Sequence, residues 1–144
     1  MLATHLLDTI PSVMREWRKE LHSGLPDGLS INQFRVLFFV SVGHGSSSFL
    51  ARHLGVTAAA MSKMVEVLVN SELLNREVNS NDRRHVKLTL TRAGQNVVRR
   101  VRTQVEKNMQ IHLDDLNNKE QKQVLEALLL LQKVFSSNRG EVVT

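Results

Sequence analysis

The feature that most limits what this chain can fold into is a double change of apolar period between residues 46 and 92. A short helical segment, 49–54, ends at Gly55, and Thr57 then stands at the N-cap of a second helix reaching about Asn70. In that helix Met61, Met64, Val65 and Leu68 recur at i, i+3, i+4 and i+7, so one side is built for burial while Ala59, Ser62, Lys63 and Glu66 point outward. Beyond it the period falls to two. Residues 73–78 and 85–90 read as strands, with Val86, Leu88 and Leu90 on one face and Lys87 and Thr89 on the other. Helix, tight turn, helix and two-stranded ribbon, in that order, make a helix-turn-helix followed by a wing. Such an arrangement suits a helix laid in the DNA major groove with the ribbon tip beside it.

The outer face of the second helix is small where exposed helices usually carry long charged side chains. Thr57, Ala58, Ala59 and Ser62 would let the backbone approach a groove, with alanine available to a thymine methyl and hydroxyls to base edges or phosphate; Lys63 adds a charge. The competing explanation is an alanine-rich surface helix chosen for its propensity. Residues 79–84 between the strands are polar and turn-forming, so the ribbon tip is expected to be exposed and to carry Asp82, Arg83 and Arg84. An arginine there can enter the narrow minor groove while an aspartate holds its fork in place; away from a ribbon tip the same residues would be a solvated charge run. Arg76, His85, Lys87 and Arg92 flank the wing as phosphate contacts. Charge is placed accordingly: residues 44–102 hold ten Lys/Arg and four Asp/Glu, a balance of +6, against a whole-chain balance of +5. A basic concentration of this kind suits a polyanion, and nucleic acid is the commonest one.

The flanks are helical. Leu6, Leu7, Ile10, Val13, Met14, Trp17 and Leu21 recur at helical spacing over 3–23, with Pro11 able to kink the segment. Ser30 and Gln33 form a capping box ahead of a helix so apolar on all sides that it should be central and buried. One of the serines at 46–48 caps the short helix after it. Thr91 caps a long helix to about Leu113 with Val97, Val101, Val105 and Met109 in one stripe, and Asn117 with Glu120 opens the last helix. Its four consecutive leucines, 128–131, cannot all face one intramolecular core, which suggests a surface covered by another chain.

Other classes find little support. The absence of cysteine excludes disulfides and thiolate metal sites. No apolar run approaches a membrane span and no signal peptide is visible, so a cytoplasmic location is expected. The six histidines show no metal-ligand spacing, Ser46-Ser47-Ser48 has no nucleophile elbow around it, and no glycine-rich phosphate loop exists. Neither an enzyme nor a cofactor is expected.

Several motifs together resemble the MarR (multiple antibiotic resistance regulator) family. They are Phe34-Arg35-Val36-Leu37, Leu50-Ala51-Arg52-His53-Leu54-Gly55-Val56-Thr57, Ser71-Glu72-Leu73-Leu74-Asn75-Arg76, Asn81-Asp82-Arg83-Arg84 and Leu88-Thr89-Leu90-Thr91-Arg92-Ala93-Gly94. The likeness implies a winged-helix homodimer, mostly α with a small β-wing. It implies helical dimerisation regions at 1–28 and 95–144 around a DNA-binding region at 29–94. Leu6, Ile10, Val13, Leu125, Leu128, Leu129, Leu131 and Phe135 would then serve dimerisation. Asp82 and Arg84 would be the wing-tip aspartate and groove-entering arginine, and the recognition helix would carry 57–63. It further implies regulation, commonly repression, of nearby genes, relieved by a small aromatic or phenolic effector near Trp17, Phe34 and Phe38. Two positions depart from the family pattern: Phe49 replaces a frequent acid and must be covered or exposed, and Glu72 replaces a usual glycine, so the turn into the wing is expected to differ. The expectation is therefore a dimeric regulator that binds double-stranded DNA at a pseudo-palindromic site. The alternatives are a non-specific architectural DNA-binding protein and a winged-helix protein-interaction module.

Overall fold

Caps written into the sequence set the helix starts. In the computed structural model, which describes residues 1–78 and 86–136, the element order is α1 (Leu2–Gly24), α2 (Ile31–Ser41), α3 (Ser47–Leu54), α4 (Ala58–Asn70), β1 (Leu74–Val78), β2 (Val86–Leu90), α5 (Arg92–Leu113) and α6 (Asn118–Ser136). The chain divides into two compact units, Met1–Glu106 and Lys107–Thr144. Ser30 and Gln33 form the expected reciprocal box, the Gln33 backbone N–H donating to Ser30 Oγ at 3.1 Å and the Ser30 N–H to Gln33 Oε1 at 2.9 Å. Thr57 Oγ1 accepts from the Ala60 N–H, Thr91 Oγ1 from the Gly94 N–H, and Asn117 and Glu120 close a second box. For α3 the cap is Ser46, the first of the three serines, and the helix begins at Ser47 rather than Phe49.

In the first unit a single core is assembled from every element. Leu21 of α1, Val36 and Leu37 of α2, Leu50 of α3, Met61, Val65 and Leu68 of α4, Leu74 of β1, Leu88 of β2 and Val98, Val101 and Val105 of α5 are buried. Removing a side chain of this size from water contributes about 1.5–3 kcal/mol. The stripe on α5 differs from the sequence expectation: Gly94, Val98, Val101 and Val105 are buried while Val97 is half-buried. Positions 97 and 98 are about 100° apart on a helix, and either can complete a stripe of valines; the buried glycine at 94 selects 98.

β1 and β2 pair antiparallel, Leu74 opposite Leu90 and Val78 opposite Val86. The loop before α3 joins this ribbon. The Leu88 N–H donates to the Gly45 carbonyl at 2.9 Å, and Ser46 bridges to Lys87. The helix-turn-helix is thereby tied to the second wing strand.

Both helices of the helix-turn-helix end in the same stop. At the end of α3 the Val56 N–H donates to the Ala51 carbonyl and the Gly55 N–H to that of Arg52, with Gly55 left-handed at φ +68°. At the end of α4 the Leu73 N–H donates to the Leu68 carbonyl and the Glu72 N–H to that of Val69, and Glu72 itself takes φ +60°. The turn into the wing therefore keeps a left-handed residue despite the glutamate, because two α4 carbonyls are satisfied only in that conformation. A left-handed non-glycine residue costs about 1–2 kcal/mol, partly offset by the greater freedom glycine has when unfolded. Glu72→Gly is accordingly expected to stabilise the protein by about 1 kcal/mol in urea unfolding; a loss of stability would show that Glu72 is held by its side chain.

In the second unit α6 has no buried residue among those described. Leu125, Leu128, Leu129 and Phe135 are each 55–57% exposed, and Leu131 is half-buried.

Candidate nucleic-acid interface

α4 is amphipathic in the sense its sequence demands. Met61, Val65 and Leu68 are buried, whereas Thr57, Ala58, Ala59, Ser62, Lys63 and Glu66 are exposed. With the Thr57 side chain capping the first turn, the outward face begins in small side chains and reaches its first cation only at Lys63. Backbone can therefore come close to a partner along two turns before a long side chain intervenes.

A concave cleft of about 720 Å³ sets this face beside the ribbon, lined by Ala58 and Ser62 of α4, Ser47 and Ser48 at the start of α3, and Glu77 and Lys87 of the strands. Ser46 Oγ lies 3.2 Å from Ser48 Oγ at its edge. The expectation for Ser46-Ser47-Ser48 was loop and cap only; their place in the cleft follows from the Gly45–Leu88 hydrogen bond, which no spacing in the sequence signals. Arg76 is exposed on β1, opposite Leu88 in the register. Asp82, Arg83, Arg84 and His85 lie outside the described residues, as do the other positions between the strands.

Phe49 is half-buried. Its ring stacks on His44 (4.5 Å between centroids, 14°) and on His53 (5.5 Å, 13°), while Phe39 meets His53 edge-on at 4.5 Å. Four rings from α2, the loop after it and α3 thus form one aromatic group where an acid would have been solvated. Of the residues expected to meet an effector, Phe34 is buried in α2, Trp17 is half-buried in α1, and Phe38 is half-buried with the Arg102 guanidinium 5.9 Å from its ring centroid. Of those expected at a dimer surface, Ile10 and Val13 are exposed on α1 and Leu6 is half-buried.

Comparison with known proteins agrees with this geometry. A MarR family model matches residues 27–85, which run from the loop before α2 into the wing. The HTH-type transcriptional regulator YhbI of Bacillus subtilis is 28% identical over 104 residues, covering 71% of this chain and 68% of YhbI. Among solved structures, the transcriptional regulator Tm0710 of Thermotoga maritima superposes with a TM-score of 0.71 at 25% identity, covering 96% of each chain. RV1404 of Mycobacterium tuberculosis superposes with a TM-score of 0.75 at 24% identity, over 94% of this chain and 92% of its own. With capped α3 and α4 about a left-handed glycine and a ribbon tied back to them, the chain is similar to these regulators, and its residues 27–85 match the MarR family.

Proposed function

We propose that this protein is a sequence-specific DNA-binding transcription regulator that acts as a homodimer and represses the genes beside its operator. What carries this is the concave surface in which the small outward face of α4 adjoins the ribbon. That arrangement lets α4 enter the major groove while the wing meets the neighbouring backbone. A homodimer with two-fold symmetry then meets a pseudo-palindromic site whose half-sites lie about 34 Å apart. Dimerisation is supported separately by the exposed leucines of α6 and by the exposed Ile10 and Val13 of α1, since contiguous apolar helix faces are stable in water when a partner covers them.

An aromatic or phenolic effector held near Trp17, Phe34 and Phe38 would release the DNA by favouring a dimer geometry that no longer matches the half-site spacing. This part rests on the family likeness. The protein works without catalysing a reaction, and its place is the cytoplasm; no helix among the described residues is long and apolar enough to cross a membrane.

The test is competition binding at about 150 mM salt, where non-specific charge contacts are weakened. Duplexes selected from a random pool should outcompete unselected DNA by about a thousandfold or more. Equal competition by every duplex would replace this function with an architectural one, and no DNA affinity at all would leave a protein-interaction module. Arg84→Ala is expected to weaken selected and unselected duplexes alike and to reduce the salt slope by about one, as the loss of a single phosphate-region cation should. An unchanged affinity and slope would remove Arg84 from the interface.

A further inference from the structure

We infer that Glu66 of α4, together with Arg76 of β1, reads one G·C base pair in each half-site, the carboxylate accepting from the cytosine N4 amino group and the guanidinium donating to guanine O6 and N7. This rests on the DNA-binding reading above and specifies what part of the surface recognises. Glu66 follows Ala59 by seven residues, close to two full turns, and so continues the stripe of Ala59, Ser62 and Lys63 about 10 Å further along the axis. It is exposed, and of the four acids between residues 44 and 102 it alone lies on the outward face of the recognition helix. Phosphates repel a carboxylate on such a surface, and what offsets that cost is an amino group to accept from.

The position of Arg76 supplies the second half. Cross-strand partners share a face of the ribbon, and Arg76 is paired with Leu88, which is buried. Leu74, two residues earlier on the same face, is buried as well. Arg76 thus rises from the side of the ribbon turned toward the helices, and it lines with Glu66, Ser62 and Val86 a cleft of about 220 Å³ between α4 and the wing. Among the described residues neither Glu66 nor Arg76 is engaged in an ion pair. A carboxylate and a guanidinium lining one cleft complement the major-groove edge of a G·C pair, which sets two acceptors on guanine beside one donor on cytosine.

Selection from a random duplex pool with the full chain, its Glu66→Gln and Glu66→Ala variants, and Arg76→Ala tests this. The wild type should enrich G·C at one symmetric position in each half-site by about tenfold or more over other pairs. Glu66→Gln should admit adenine in place of cytosine, which glutamine matches through N6 and N7, Glu66→Ala should weaken the preference while Arg76 still favours guanine, and Arg76→Ala should weaken it from the guanine side, with the other positions unchanged. Since both side chains are exposed, the melting temperatures of the variants should match the wild type. An identical preference at every position in all four proteins, with only overall affinity rising when the acid is removed, would overturn the inference and make Glu66 a solvated acid. A wild type that enriches no sequence would instead overturn the specific-regulator reading, and the inference with it.

Discussion

Gly94→Ala is expected to lower the stability of the protein by about 3 kcal/mol, the upper end of what overpacking usually costs. Gly94 lies in the first turn of α5, and a Cβ built there would stand 2.2 Å from the Leu73 carbonyl oxygen and 3.2 Å from its carbon. Both are backbone atoms, so no side chain can swing aside. The surrounding segment is tied down as well. The Thr91 N–H donates to that same Leu73 carbonyl at 3.2 Å, and the Thr91 hydroxyl donates to the Glu72 carbonyl at 2.6 Å. Moving Leu73 away would therefore strain the α4 stop, the β1 start and the α5 cap together. Alanine returns about 1 kcal/mol through its helix propensity, which is too little to offset the displacement. Urea unfolding of wild type and variant at one protein concentration, so that dimerisation contributes equally, measures the difference. A midpoint unchanged within error would mean that the wing base shifts freely, and the close approach of α5 to Leu73 would lose its structural importance.

Ala59→Glu is expected to cost operator binding roughly a hundredfold or more while leaving stability within about 0.5 kcal/mol of wild type. Ala59 is exposed on the outward face of α4, and glutamate is nearly as good a helix former as most residues, so the fold has no reason to change. The partner surface does. A carboxylate on a long stem would hold α4 off the groove floor and face phosphates at short range, and like-charge juxtaposition across an interface costs several kcal/mol. Titration of a selected duplex at fixed salt reads the loss, and thermal unfolding shows that the protein is intact. Wild-type affinity in a folded variant would show that α4 does not enter the groove by this face.

Much of the fold was legible because it is encoded in interactions a few residues long. The Ser30, Thr57, Thr91 and Asn117 caps each join atoms three residues apart, so the sequence contains both partners. The buried stripe of α4 and the alternation of β2 are likewise periodicities of single elements: Met61, Val65 and Leu68 are buried with Met64 half-buried, while in β2 Leu88 is buried and Val86, Thr89 and Leu90 are all half-buried. Where a prediction needed a neighbour from elsewhere it drifted. Val97 and Val98 were equivalent until Gly94 set the rotation of α5 against the wing base. Glu72 looked like a change of turn, yet the carbonyls at the end of α4 impose the left-handed conformation on whatever residue stands there.

By itself, then, the sequence determined the elements, their order, the buried side of α4 and the concentration of positive charge around α4 and the wing. Tertiary structure alone decided which residues meet. Ser47 and Ser48 reach the cleft because Gly45 pairs with Leu88, and Phe49 is half-buried because His44 and His53 stack against it. Glu66 and Arg76 share a cleft because the strand leaving α4 turns the face carrying Leu74 and Arg76 back toward the helices. The physical reason is range: capping and periodicity act within a turn or along a strand, whereas a surface that can read another molecule is made of side chains brought together across elements by a shared core.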